Sequence, residues 1–564
     1  MKKHSERFCR ASIIGIDFLY ICSMKKIFLI TLFIVFAISI NGFTQKNGNL
    51  GNTRITVHCT SAVSSVTLTK TPLKYNKLFA FSAQLDDGGL DIYTNAYPFL
   101  NGGSVSGITY PGLQYTDGCG NEIKFRMSSS IFSFDDTETI DVHEPGTGWS
   151  FLNTWPQLIE LYQQGWGISN HGLTNKVGEY EYSLERNHSY VKLKTQVATP
   201  GGVRLGIFVN PNGDTNYTKY AFQQGYHICY VQGYNFGYPS FDVTSAWNHN
   251  NIRMGRTNFY NGISIAAIAQ NMALASISGA HHWGVVFSHS ITNGTYGYDF
   301  ETFKSQMTAI AYNYGKSGAD NIWMTTEEEV LDYLLLSPYL TVNSEKSGND
   351  VIITFAGNLP TDFRYYAVSL LLNTDASIQT VNLSGPGNLT YNGQGTKQSL
   401  ININWDKATL LPDTTDPEVN DAEKWVSKTE ASQSQLDANI AVDYVEMLSP
   451  GTVKDSFRRR LCNISSLIYP KYFCALGVED HQISSDPRIF LNPATGSLVV
   501  SSTVAFSSVS LLSLQGKVLI RKEISALQVL LDVSGLSQGI YLLSITSGSR
   551  VINRKVIINK IQAH

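Results

Sequence analysis

Residues 77–89 read KLFAFSAQLDDGG. The run from Leu78 to Leu85, mostly apolar, gives way at once to Asp86 and Asp87 and then to two glycines. A run of that length bounded by turn formers predicts a buried strand, with both carboxylates where the strand hands over to a loop. The same handover recurs along the chain. GWGISNHGLTN ends a short strand at His171, FVNPNGD follows the apolar run Val203 to Val209, and GVVFSHS ends at His289. Between these strands the period is helical. Trp155, Leu158, Ile159 and Tyr162 fall at i, i+3, i+4 and i+7 before Gly165, and Phe300, Phe303, Met307 and Ile310 repeat the pattern before Gly315. Thr326 and Glu329 have capping-box spacing for a last helix through Leu331 and Leu335. Alternating strands and helices predict a parallel sheet, open or closed as a barrel, whose functional side chains gather where the strands end.

The rest of the chain bounds what this region can do. At 564 residues the protein is too long for one compact core, and a formal charge of -3 gives no broad cationic field for nucleic acid. Only 15% of residues are charged, whereas 30 Tyr, 27 Phe and 46 Gly favour strands and turns, a balance suited to an extracellular β-rich protein. From Met24 the sequence MKKIFLITLFIVFAISINGFTQ has two lysines, an apolar run from Ile27 to Ile40 and a polar end, the layout of a secretory signal peptide. Residues 1–44 are therefore expected to be an overlong start plus the signal peptide, and the mature chain is expected to carry no transmembrane anchor. Cleavage would leave Cys59, Cys119, Cys229, Cys462 and Cys474, an odd set in which Cys462 and Cys474 are the favoured pair.

Period and composition divide the mature sequence. Residues 45–338 form the β/α region. Residues 339–406, with Val351, Ile353 and Phe355 at period two, predict a small β-sandwich. Residues 407–480 turn helical, with Leu436, Ile440, Tyr444 and Met447 on one face and a break at Pro450-Gly451, and are expected to form a helical spacer. Residues 488–564 are again β, with FLNPATGSLVV, a hairpin at Gln515-Gly516, Gly539-Ile540-Tyr541 and a lysine-bearing last strand. This end resembles the C-terminal sorting domain of type IX secretion cargo. The resemblance implies a Gram-negative cell, the type IX machinery as partner, and a secreted or outer-surface destination.

The ordered strand ends of residues 45–338 resemble the polysaccharide deacetylases, carbohydrate esterases with the NodB homology domain and a (β/α)-barrel-like fold. LDDG matches the acidic core of the family's first motif, so the resemblance implies Asp86 as general base and Asp87 as a metal ligand. NHGLTN supplies the first histidine of the second motif at His171 and places Asn175 at its second metal position. FVNPNGD stands for the groove-shaping third motif, with Pro211 and Asp214 but no arginine, and FSH matches the catalytic-acid motif with His289. Asp242 and Trp247 are possible remnants of the motif that buttresses the acid. The implied cofactor is a divalent metal, zinc first, and the implied partner an acetylated polysaccharide.

Amide hydrolysis needs a Lewis acid to polarise the carbonyl, a carboxylate to take a proton from water, and an acid for the departing amine. Asp87, His171 and Asn175 would hold the ion, Asp86 would act as base, and His289 would supply the last proton, histidine being the side chain that titrates near neutrality. An amide is a weaker donor than imidazole, which leaves three outcomes: weak ligation by Asn175, replacement by His143, His188, His281 or His282, or loss of the metal. The expected activity is deacetylation of an N-acetylated polysaccharide. The alternative is a catalytically impaired carbohydrate-binding or cell-surface adhesion protein on the same fold. Asp117 and Cys119, in YTDGCGN, read as a turn, and no sequence-fixed base makes the thiol a nucleophile.

Overall fold

The computed structural model describes residues 45–46, 49–196, 202–231, 240–242, 252–260, 262–277, 279–292, 297–411, 417–464, 488–492, 497–513, 517–537, 539–547 and 550–558. The chain divides into two compact units between residues 474 and 475.

In the first unit, β1 (Phe79–Leu85) is buried along its whole length, as expected for a parallel strand covered on both faces. It pairs in parallel with β2 (Ser128–Ile131), and the sheet continues through β3 (Gly167–Asn170), β4 (Ile207–Val209), β5 (Ile228–Val231) and β6 (Ile252–Gly255). On its other side β1 pairs with β7 (His282–Ser288), and β8 (Ile322–Met324) joins the start of β1. The strands form a curled, parallel half-barrel interleaved with α1 (Trp155–Gln163), α2 (Tyr180–Thr195), α3 (Tyr217–Gln223), α4 (Ile265–Ser276), α5 (Phe300–Tyr314) and α6 (Glu327–Leu336). Past Gly255 the chain changes partner: after Arg256, Thr257 and Asn258 pair with Val286 and Phe287 of β7.

Period two in β1 sends Ser82, Gln84 and Asp86 to one side, and that side is the concave one, since Gln84 Nε2 donates to Ser169 Oγ on β3 at 3.1 Å. Trp283 Nε1 donates to Ser82 Oγ at 3.1 Å. The interior of the curl is thus a hydrogen-bonded polar layer, and the apolar residues of β1 pack outward against the helices.

The acidic start of α6 is more deeply engaged than a helix cap requires. Thr326 Oγ1 caps Glu329 N at 3.3 Å as the spacing predicts, but the Glu329 carboxylate meets Lys74 Nζ at 2.7 Å instead of completing a capping box. Glu328 pairs with Arg364 at 2.9 Å and Asp332 pairs with Arg204. These acids are buried, and removing one partner of such a pair costs about 3–5 kcal/mol because the other charge stays behind.

The β-sandwich is present, but it does not begin at residue 339. Its first antiparallel sheet runs Thr341–Ser347, Asp350–Ala356, Arg54–Cys59, Ile378–Ser384, and its second runs Asn388–Tyr391, Gln398–Trp405, Tyr366–Thr374, Val66–Lys70. Strands from residues 54–70, expected within the β/α region, are structural members of the sandwich. The reason is hydrophobic: Ile55 and Val57 face the same core as Val351 and Ile353. The core runs without a break into the β/α region, where Tyr75 N donates to Ser369 Oγ at 2.7 Å.

The helical segment is not a free spacer. α7 (Pro417–Ser432), α8 (Gln435–Met447) and α9 (Thr452–Asn463) share one apolar cluster, in which α8 packs on α2, α7 reaches α2 through Lys428 and Glu181, and α9 packs on α7 and α8. Asp443 of α8 pairs with Arg186 and accepts from Ser189 Oγ at 2.6 Å, and Tyr182 packs with Trp425, Ile440, Tyr444 and Phe457. Cys59 and Cys119 are free thiols and Cys462 is disulfide-bonded; Cys474 lies outside the described residues.

The second unit is an antiparallel sheet in the order Arg488–Asn492, Ser497–Leu512, Gly539–Ser547, Arg550–Ile558, with Val518–Asp532 also paired to Ser497–Leu512. Leu498, Val500, Val509, Leu531, Leu543 and Ile545 form its core. The predicted Gln515-Gly516 turn lies outside the described residues, although Ser513 N donates to Lys517 O across it at 2.8 Å.

Candidate functional site

The carboxyl ends of the parallel strands open on one cleft of about 910 Å³. Asp86 and Asp87 follow β1, His171 follows β3, Asn210 follows β4, Arg256 follows β6 and His289 follows β7, and all of them line it. Register aligns these ends. Leu85 is opposite Ser288, and Asp86 N donates to Ser288 O at 2.8 Å.

Asp86 is buried and fully engaged. Arg256 donates to both of its oxygens, at 2.8 and 2.9 Å, and Ser130 Oγ donates at 2.7 Å. Burial pushes its pKa up, but the Arg256 guanidinium outweighs burial and holds the carboxyl at about 2. The arginine itself lies over the Phe287 ring at 4.0 Å and also bonds Gln84. Arg256 was not identified from sequence. It interrupts a short strand, IRMGRTN, and the stretch that the family resemblance singled out for an arginine has none.

Asp87 turns away from its neighbour because its backbone is left-handed, with φ 68° followed by 73° at Gly88. Its Oδ1 lies 3.4 Å from His171 Nε2, and His171 Nδ1 is 2.9 Å from Val209 O, a contact that fixes the ring. Burial would lower the His171 pKa, but the hydrogen bond to Asp87 and the charge of Asp86 raise it above the ordinary value. Asn175 lines the same cleft from an exposed position, its backbone carbonyl accepting from Asn212 Nδ2 at 3.1 Å.

The pair Asp87 and His171 fits two positions of a divalent ion, the imidazole held in place by a backbone carbonyl as metal-binding histidines commonly are. Only an amide is at hand for a third position: among the described residues no three His, Cys, Asp or Glu side chains gather to hold a metal. None of the four alternative histidines fills the gap. His143 places its ring nitrogens on Asn153 O and Phe132 O beneath Gly88. His188 bonds Tyr226 OH, and burial lowers its pKa to about 3. His281 sits by Leu78 O at the opposite end of β1, and His282 opens β7.

Pro211 and Asp214 are not among the lining residues. Pro211 packs beneath Gly172, and Asp214 accepts from Tyr180 OH at 3.1 Å, so Asn210, Asn212 and Gly213 form that wall instead. Asp91, also missed, anchors the loop after His289: its Oδ2 accepts from Ser290 Oγ at 2.8 Å and Ile291 N at 2.7 Å. Trp247 and the Asp242 side chain lie outside the described residues. Asp117 closes the expected turn on Cys119 N and Asn121 N, and burial followed by the Asp117 charge pushes the Cys119 thiol up to about 12.

Residues 488–559 match the secretion system C-terminal sorting domain family, Por_Secre_tail. The C-terminal β unit is therefore a type IX sorting module, and it addresses the chain through the type IX machinery to the cell surface or the medium. No curated protein matches the chain. Among the described residues no helix is long and apolar enough to cross a membrane, and residues 1–44 lie outside them.

Proposed function

We propose that the β/α region is a polysaccharide deacetylase acting outside the cell on N-acetylated glycans, built on a distorted (β/α) barrel. The observation that carries this reading is the convergence of Asp86, Asp87, His171 and His289 on one rim, with Arg256 gripping Asp86. Segment 252–258, which pairs on one side with β5 and on the other with β7, supports the barrel.

In this reading Asp86 is the base. A carboxylate held at about 2 is ionised at every physiological pH, and it can take a proton only from a water that has been made acidic. A bound divalent ion on Asp87, His171 and Asn175 would supply that acidity and polarise the acetamide carbonyl. Arg256 keeps Asp86 ionised and oriented, and His289, on the next strand end, protonates the departing amine. Asp91 positions His289 by fixing residues 290–292.

Acetate release from an N-acetylglucosamine hexamer, measured on the full chain with zinc supplied, tests the proposal. Release that vanishes in Asp86→Asn supports it. Absence of release from wild type with zinc, manganese and cobalt, while the hexamer still binds, sinks it and leaves the carbohydrate-binding reading, which the amide at position 175 favours.

A further inference from the structure

Among the described residues, Phe151 is the exposed large apolar side chain that lines the cleft, with 61% of its surface open. Burying a phenylalanine is worth about 1.5–3 kcal/mol, so an exposed one forgoes energy that a ligand can recover. The backbone at Phe151 is anchored. Leu90 N donates to Phe151 O at 2.8 Å, Asn153 N donates to Gly88 O at 2.9 Å, and Asn153 Nδ2 donates to Gly89 O at 2.8 Å. The backbone that carries the ring is therefore tied to the Asp86-Asp87 turn. Behind it the Trp149 ring lies 5.4 Å away at 45°, itself edge-on to Phe132 at 6.3 Å.

The remaining cleft wall is mixed, with Leu90 and Leu152 beside the charged Asp86, Asp87, Asp91 and Arg256. Thr94, Asn95 and Asn212 present hydroxyl and amide groups. An aromatic face beside hydrogen-bonding groups matches a pyranose, which has an apolar C–H face and a polar rim. We propose that Phe151, backed by Trp149, is the stacking platform on which a pyranose ring of the glycan lies beside the Asp86-Asp87 turn. The inference rests on the deacetylase reading for the identity of the sugar, an acetamido hexose; the platform itself needs no turnover.

The test is calorimetric binding of a β-1,4-linked N-acetylglucosamine hexamer to the full chain, run alongside acetate release. Phe151→Ala is expected to weaken binding about tenfold, the loss of one buried aromatic face, and Phe151→Trp to keep or tighten it. Trp149→Ala is expected to weaken binding less, since it removes only the support. Unchanged affinity in Phe151→Ala, or no binding of the hexamer to wild type, overturns the platform. Acetate release by wild type with unchanged KM in Phe151→Ala sinks the platform and leaves the deacetylase. Weakened binding in Phe151→Ala without any acetate release by wild type does the reverse.

Discussion

Arg256 grips Asp86 through both carboxylate oxygens from 170 positions away in sequence. The contact fixes the charge and the orientation of the proposed base together, and it makes the two residues one unit. Arg256→Ala should let burial dominate, lift the Asp86 pKa from about 2, and cost about 3–5 kcal/mol of stability by stranding a buried charge. Arg256→Lys keeps the charge but loses the fork, and should recover part of the stability and less of any acetate release. Urea unfolding and the acetate assay read the two effects separately.

Asn175→His should raise zinc affinity by supplying the nitrogen donor that the ion prefers. Asp87→Ala and His171→Ala should lower it, while Asp86→Asn should leave it unchanged. Zinc calorimetry on the four variants decides. Equal affinity in all of them means the ion, if bound, sits elsewhere.

Glu329 gives the acid limb of stability. Burial would raise its pKa, but Lys74 and Arg126 hold it at about 2. A depressed carboxylate contributes stability above its unfolded value near 4.3, lost as pH falls toward 2, on the order of 3 kcal/mol for this shift. Melting temperatures between pH 5 and pH 2.5 should therefore fall less steeply in Glu329→Gln, from a lower starting point.

Glu185 works in the opposite direction. It is buried under α7, and burial, only partly offset by Lys424, raises its pKa to about 7. The folded state binds more protons than the unfolded one between about pH 4.3 and 7, so stability declines as pH rises through that window. Glu185→Gln should flatten this decline and raise the melting temperature at pH 8 but not at pH 4.

Deleting residues 488–564 should retain the protein in the periplasm, as the sorting-domain match requires. Cell fractionation shows this directly; a truncated protein that reaches the medium normally contradicts it. A fragment of residues 45–340 should fail to fold cooperatively, because strands 54–59 and 66–70 and the Glu328 ion pair lose their partners, whereas residues 45–474 should unfold in one transition.

What could be recognised from sequence was local. The apolar runs ending in Asp86, His171 and His289 carry strand and site in the same few residues, and helices such as Phe300–Tyr314 declare themselves by period. What escaped was set by distant partners. Arg256 has no pattern of its own, the acids of α6 look like a cap until Lys74, Arg204 and Arg364 arrive, and strand 54–59 is distinguished only by the residues it pairs with some 300 positions later. The docked helices show the same limit, since an amphipathic face in sequence does not say what covers it.

The sandwich that begins at Arg54 and ends at Trp405 makes the β/α region an insertion within another module. During synthesis and export, strands 54–59 and 66–70 emerge first and wait for the whole insert to pass before their neighbours arrive. Exposed strand edges of this kind invite pairing with other chains. The early strands therefore stay unpaired until residues 341–405 are available, so the sandwich can close only after the whole insert has passed.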